Sequence, residues 1–196
     1  MKNENLSLTI NPFKKTAGFP ALCWGIAGLI IATILSIITG YHYHGLLHYG
    51  PASNPAWWCF AAEHLIVWLV PAILFYVGGL ILSKSRIRII DVFGTTLFAQ
   101  IPFVFMNLFA LLPAVQTVLK TDYNTPPQQL LTQPGFVLGS MLTSVSVIFL
   151  IITLIWMFQA LRVSGNLKSW RLVTLYIVAV FGGDVLCRII IKTLYP

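Results

Sequence analysis

Five long stretches of this chain carry almost no charge, and that feature decides what the rest of it can be. A hydrocarbon core of roughly 30 Å takes about twenty apolar residues in a helix, because no water is there to satisfy a backbone N–H that lacks a partner inside its own segment. Stretches of this length run from about Ala21 to Thr39, Ala56 to Leu82, Ile89 to Leu112, Phe136 to Leu161 and Leu172 to Leu194. The expected fold class is all-α: a polytopic transmembrane bundle of five spans over 19–196, preceded by a cytoplasmic or interfacial segment over 1–18. With charged residues at 9% of the chain, against about 25% in a soluble domain, the lipid bilayer is the partner these faces demand.

The charges that remain orient the bundle. Nine of the twelve Lys and Arg residues (Lys2, Lys14, Lys15, Lys84, Arg86, Arg88, Arg162, Lys168 and Arg171) fall on one side of the five spans. Only Lys120 and Lys192 fall on the other, with Arg188 inside the fifth span. Short basic loops are retained in the cytoplasm, so the asymmetry predicts a cytoplasmic N-terminus and an outward C-terminus. The net charge of +7 is distributed as short clusters between apolar spans; it builds no single basic face, and nucleic acid is not an expected partner. No cleavage site follows the first span, which is expected to remain as an anchor. Cys23, Cys59 and Cys187 are scattered and odd in number, which predicts free thiols.

Local features follow from the same frame. Gly28, Ala32 and Ser36 recur every four residues in the first span, a face on which another helix can approach closely. Gln100, Asn107 and Gln159 are candidates for interhelical hydrogen bonds. Thr143, Ser144 and Ser146 can bond either across helices or back to their own carbonyls. Asp91 opens the third span, where a carboxylate suits the positive end of the helix dipole. Ser169 is expected to N-cap the fifth span, and a short surface helix is expected over Ala114 to Lys120 in the external loop that also holds Asp122.

Ionisable groups inside a membrane need a partner or a route to water. Asp184 and Arg188 are four residues apart on the fifth span and hence on one face. Glu63 and His64 lie several residues inside the outer end of the second span, at a depth similar to Arg188. These four form a candidate polar cluster, with two readings open: an ion, proton or ligand site, or a self-neutralised Asp184–Arg188 pair that fixes helix register. The run ITGYHYHGLLHYG, Ile38 to Gly50, ends the first span. If that helix continues past Gly40, His44 and His48 stand at i and i+4, a spacing that can place two imidazoles on Zn²⁺ or another divalent metal. His42, Glu63 and His64 complete the candidate ligand set. Tyr and His at a membrane boundary are also ordinary interfacial composition, so a metal is not required. The chain contains no HExxH, GxSxG, Walker or Gly-rich dinucleotide motif, and enzymatic chemistry is the third expectation.

NPFKKTAG before the first span, VFGTTLFAQIPFV in the third and WMFQALRVSGNLKSWR leading into the fifth, together with the span count, resemble the bacterial branch of the Yip domain family of five-span membrane proteins. The family is related to Ypt/Rab-interacting proteins. The resemblance implies a compact five-helix bundle in a bacterial cytoplasmic membrane with a scaffold or interaction role, through membrane-protein partners or self-association. It supplies no catalytic residues. The DLYGP-like segment of the eukaryotic members is not found. The alternative expectation is a small transporter or a metal- or proton-binding protein using the outer polar cluster.

Overall fold

The computed structural model describes residues 10–51, 55–121 and 124–195; Lys2, Asp122 and Pro196 lie outside them. A short 3-10 turn, Pro12–Lys14, precedes α1 (Gly18–Thr39). A two-stranded hairpin follows, β1 (His42–Tyr43) paired antiparallel with β2 (Tyr49–Gly50). Then come α2 (Trp57–Leu82), α3 (Ile89–Phe98), α4 (Pro102–Ala110), α5 (Pro113–Leu119), α6 (Pro127–Thr132), α7 (Phe136–Ser164) and α8 (Ser169–Lys192). Five helical spans, with α3 and α4 together forming the third, are long and apolar enough to cross a membrane. At 22 residues α1 is among the shortest, yet it still reaches about 33 Å at 1.5 Å per residue. The chain is built as a multi-pass integral membrane protein.

The third span is the centre of the bundle. In it 56% of the apolar window is buried, against 17% in α7, so it packs on protein while its neighbours leave most of their apolar surface exposed. α1 lies along α3 and α4, α7 closes the other side of α3, α4 and α5, and α2 carries α8 on its far flank. Gly28, Ala32 and Ser36 lie on the buried face of α1 with Gly25. A Cβ at Gly25 would stand 2.9 Å from the Phe98 backbone N, and one at Gly28 2.9 Å from Ile101; the small residues are what lets the two backbones meet.

Proline breaks the third span. It is two helices instead of the single one expected over Ile89 to Leu112, because Pro102 has no N–H to continue the ladder and its ring crowds the preceding turn. Tighter i to i+3 bonds carry the chain across, Gln100 N to Leu97 O at 3.0 Å and Ile101 N to Phe98 O at 3.1 Å. Pro71 sits inside α2 without breaking it. Its missing N–H would have bonded the carbonyl of Val67, and Gln100 Nε2 donates to that oxygen instead, at 3.0 Å. Asn107 Nδ2 donates to Ala32 O at 3.0 Å, and Gln159 Oε1 accepts from Asn11 at 3.3 Å. Gln116 Nε2 donates to Thr39 O and to Ala110 O, at 3.0 and 2.7 Å, and so satisfies carbonyls at the ends of both α1 and α4.

One local expectation is corrected and one open choice is settled. α8 begins at Ser169, Lys168 is its N-cap position, and no side chain caps it; Ser169 has φ 57° and is already inside the helix. Thr143, Ser144 and Ser146 all donate to carbonyls of their own helix, leaving none of these hydroxyls as a donor between helices. Asp91 sits in the first turn of α3, within 3.8 Å of Arg88. All three cysteines are free, with Cys59 and Cys187 buried.

Candidate functional site

α1 does not continue past Gly40. That glycine takes φ 69° and donates its N–H to Ser36 O at 2.9 Å, the left-handed ending that residues with a Cβ avoid. The histidine run is therefore not a helix, and the expected i, i+4 pairing of His44 with His48 is not formed. The run folds back as a hairpin: His42 pairs with Gly50 and Tyr43 with Tyr49, while His44 N and Gly45 N both donate to His48 O. The hairpin is sunk into the end of the bundle, with Tyr41, His42, Tyr43 and Leu46 each 2% exposed or less.

Two carboxylates, one from α2 and one from α8, hold it there. Glu63 is fully buried. Its Oε1 lies 2.7 Å from His42 Nδ1, its Oε2 accepts from Tyr43 N at 2.9 Å, and the hydroxyl of Tyr195 donates to Oε1 from beyond the end of α8. A buried charge is tolerable when its lone pairs are met by donors of this kind. Asp184 is the second clamp. Its Oδ1 accepts from Leu47 N at 2.8 Å and its Oδ2 stands 3.0 Å from His48 Nδ1. A Cβ at Gly45 would stand 2.7 Å from that Oδ1 and 2.9 Å from Arg188 Cγ, so the hairpin tip fits against α8 only as glycine.

Of the two readings open for Asp184, the pairing with Arg188 within α8 is not formed. Asp184 makes no ion pair with Arg188 within 4 Å; it is turned to the hairpin, and Arg188 is exposed. The expected cluster of Glu63, His64, Asp184 and Arg188 is divided between two clamps. His64 is buried next to Glu63 in sequence, but its Nδ1 bonds Phe60 O at 2.8 Å within its own helix. Of the candidate metal ligands, His42 meets Glu63, His44 reaches Pro51 O at 3.2 Å, and His48 meets Asp184. Among the described residues no group of three or more His, Cys, Asp or Glu side chains is placed to hold a metal ion.

Around Glu63 the hairpin is walled by rings. His42 stacks on Phe60 at 4.0 Å between centroids, and Tyr43 lies 4.7 Å from His64 and 5.0 Å from Phe103. Tyr43 Oη reaches Asn107 Oδ1 at 3.3 Å, tying β1 to the third span. Burial raises the ionisation of Tyr43 well above the usual tyrosine value, helped by the nearby Tyr49. Burial does the same for Tyr195, and its bond to the Glu63 carboxylate adds to the effect. Both phenols consequently stay protonated and act as donors. Two nitrogens in this region, His42 Nε2 and His64 Nε2, are buried without a hydrogen-bond partner.

Reading the sequence did not select Tyr43, Leu47 or Tyr195. Two of these act through a backbone N–H, which no side-chain pattern encodes, and Tyr195 lies 132 residues from Glu63. Comparison of the chain with protein-family models, with curated proteins and with solved structures gives no match.

Proposed function

We propose that this chain is a membrane interaction protein of the Yip type, lying in a bacterial cytoplasmic membrane with its basic loops inside, whose outer hairpin is the recognition element. One observation carries the reading: Glu63 and Asp184, the acids of the second and fifth spans, both bond the hairpin and hold it in one fixed shape. A hairpin clamped from two helices presents a constant surface to a partner without the entropy cost of ordering it on binding. The basic loops inside agree with the Lys and Arg asymmetry. No metal or cofactor is needed for this role.

A photo-crosslinker placed at Tyr49, half-buried at the hairpin edge, should give one discrete adduct in native membranes, and Glu63→Gln should abolish it. Adduct formation indifferent to Glu63→Gln would remove the recognition role of the clamped hairpin. A reporter fused after Pro196 should be active only on the outer side; cytoplasmic activity there would reverse the orientation.

A second reading is proton binding or transport. The partnerless buried Nε2 atoms of His42, which bonds Glu63, and of His64, its neighbour in the chain, favour it. Proteoliposomes carrying a pH dye separate the two readings: proton flux that disappears in Glu63→Gln belongs to the second and is not expected from the first.

A further inference from the structure

Arg188 and Lys192 are four residues apart near the end of α8 and project from one face. Asp184, the acid one turn before them, is already engaged by Leu47 N–H and His48. Among the described residues no carboxylate comes within 4 Å of either cation. A guanidinium in the outer half of a span is costly unless an anion or water meets it. The dipole at the C-terminal end of α8 favours Lys192 in its last turn, but it leaves Arg188, one turn deeper, without a counter-charge.

Two clefts flank this pair. One, of about 230 Å³, is lined by His44, Arg188, Ile191, Lys192 and Tyr195. The other, of about 240 Å³, is lined by Val185, Arg188, Ile189 and Lys192. The first lies against the hairpin, where His44 and Tyr195 join the two cations in its lining. The second opens on Val185 and Ile189, which are 53% and 59% exposed on the lipid-facing side. The cations therefore stand between a recess that gathers His44 and Tyr195 and a groove over Val185 and Ile189, the arrangement that a phospholipid requires of its headgroup and its chains.

We propose that Arg188, Lys192 and His44 form a binding site for the phosphate of an anionic phospholipid in the leaflet at the hairpin end, with the acyl chains running along Val185 and Ile189. The phosphate supplies the counter-charge that Asp184 does not give to Arg188, and a bidentate guanidinium contact suits its geometry. The apolar groove is what selects a lipid over a free anion. A basic recess at the opposite end, lined by Lys84, Lys168 and Arg171, serves as the internal control.

The test is native mass spectrometry of the full chain released from detergent with added phosphatidylglycerol, phosphatidylcholine of the same chains, or inorganic phosphate. Phosphatidylglycerol should bind in preference to phosphatidylcholine. The variant Arg188→Gln with Lys192→Gln should weaken phosphatidylglycerol about thirtyfold, from two basic contacts removed at a lipid surface. Lys84→Gln with Lys168→Gln should leave this site's affinity unchanged. If the double variant at Arg188 and Lys192 does not fold, Lys192→Gln alone, at the exposed helix end, should weaken binding about fivefold. Unchanged affinity in the folded variant would overturn the site, and inorganic phosphate binding as tightly as phosphatidylglycerol would overturn its assignment to a lipid.

Discussion

His42 Nδ1 stands 2.7 Å from Glu63 Oε1, joining the strand after the first span to the second span where both residues are 1% exposed or less. Glu63→Gln keeps the shape of the side chain but removes its charge and turns one acceptor into a donor that faces donors. Breaking a buried pair from one side costs about 3–5 kcal/mol, and this variant is expected near the lower end because an acceptor oxygen survives. Thermal unfolding in detergent measures it. His42→Ala and Glu63→Gln combined should cost less than their sum by the worth of the bond they share, while the bonds of Glu63 to Tyr43 N and Tyr195 are lost only with the acid; fully additive losses would place the stabilisation elsewhere.

The second clamp separates two descriptions of Asp184. If it pairs with the hairpin, Asp184→Asn and His48→Ala couple in a double-mutant cycle, while Asp184→Asn and Arg188→Ala do not. The expected coupling to His48 is modest, about 0.5–1 kcal/mol, because that imidazole is 50% exposed and screened by water. Coupling of Asp184 to Arg188 as large as its coupling to His48 would restore the pairing within α8.

Much of the fold is legible in the sequence because the membrane imposes a length rule that each span obeys by itself. The five apolar segments, the small face of α1 and the short helix after Pro113 can be read without knowing any contact. The site is less legible. Glu63, His64 and Asp184 announce themselves as ionisable groups within spans, but their partners depend on Gly40. One left-handed residue turned an expected helical continuation into a hairpin, and the metal spacing of His44 and His48 went with it. Asp184 then found a backbone N–H at Leu47 instead of Arg188, and the periodicity of α8 holds no trace of that preference.

Tyr41, Tyr43 and Tyr195 all have ionisation raised above the ordinary value, in each case chiefly by burial. A group raised in the folded state contributes stability that is complete below its unfolded value, near pH 10, and is lost as pH rises beyond it. Alkaline titration followed by phenolate absorbance should show these tyrosines silent past pH 10 while the fold holds, then appearing together as the hairpin is released. Tyr195→Phe should bring that release to lower pH by removing a donor from Glu63, a bond to a charged group worth about 1.5–3 kcal/mol. A smooth titration of all seven tyrosines near pH 10 with the helices intact would contradict the buried clamp.

Gln100 and Pro71 give the last expectation. Pro71 leaves Val67 O without its intrahelical donor, and Gln100 Nε2 supplies one from the third span at 3.0 Å. Gln100→Leu should cost about 1–3 kcal/mol by leaving a buried carbonyl unsatisfied in a dry environment. In a Pro71→Ala background the backbone N–H at position 71 can bond Val67 O itself, and the same Gln100→Leu change should then cost well under 1 kcal/mol by the net worth of a redundant bond. Unfolding of the four proteins under one denaturant series measures the difference. An equal cost of Gln100→Leu in both backgrounds would mean that the glutamine acts through its packing between α2 and α3, and not as the donor the proline removed.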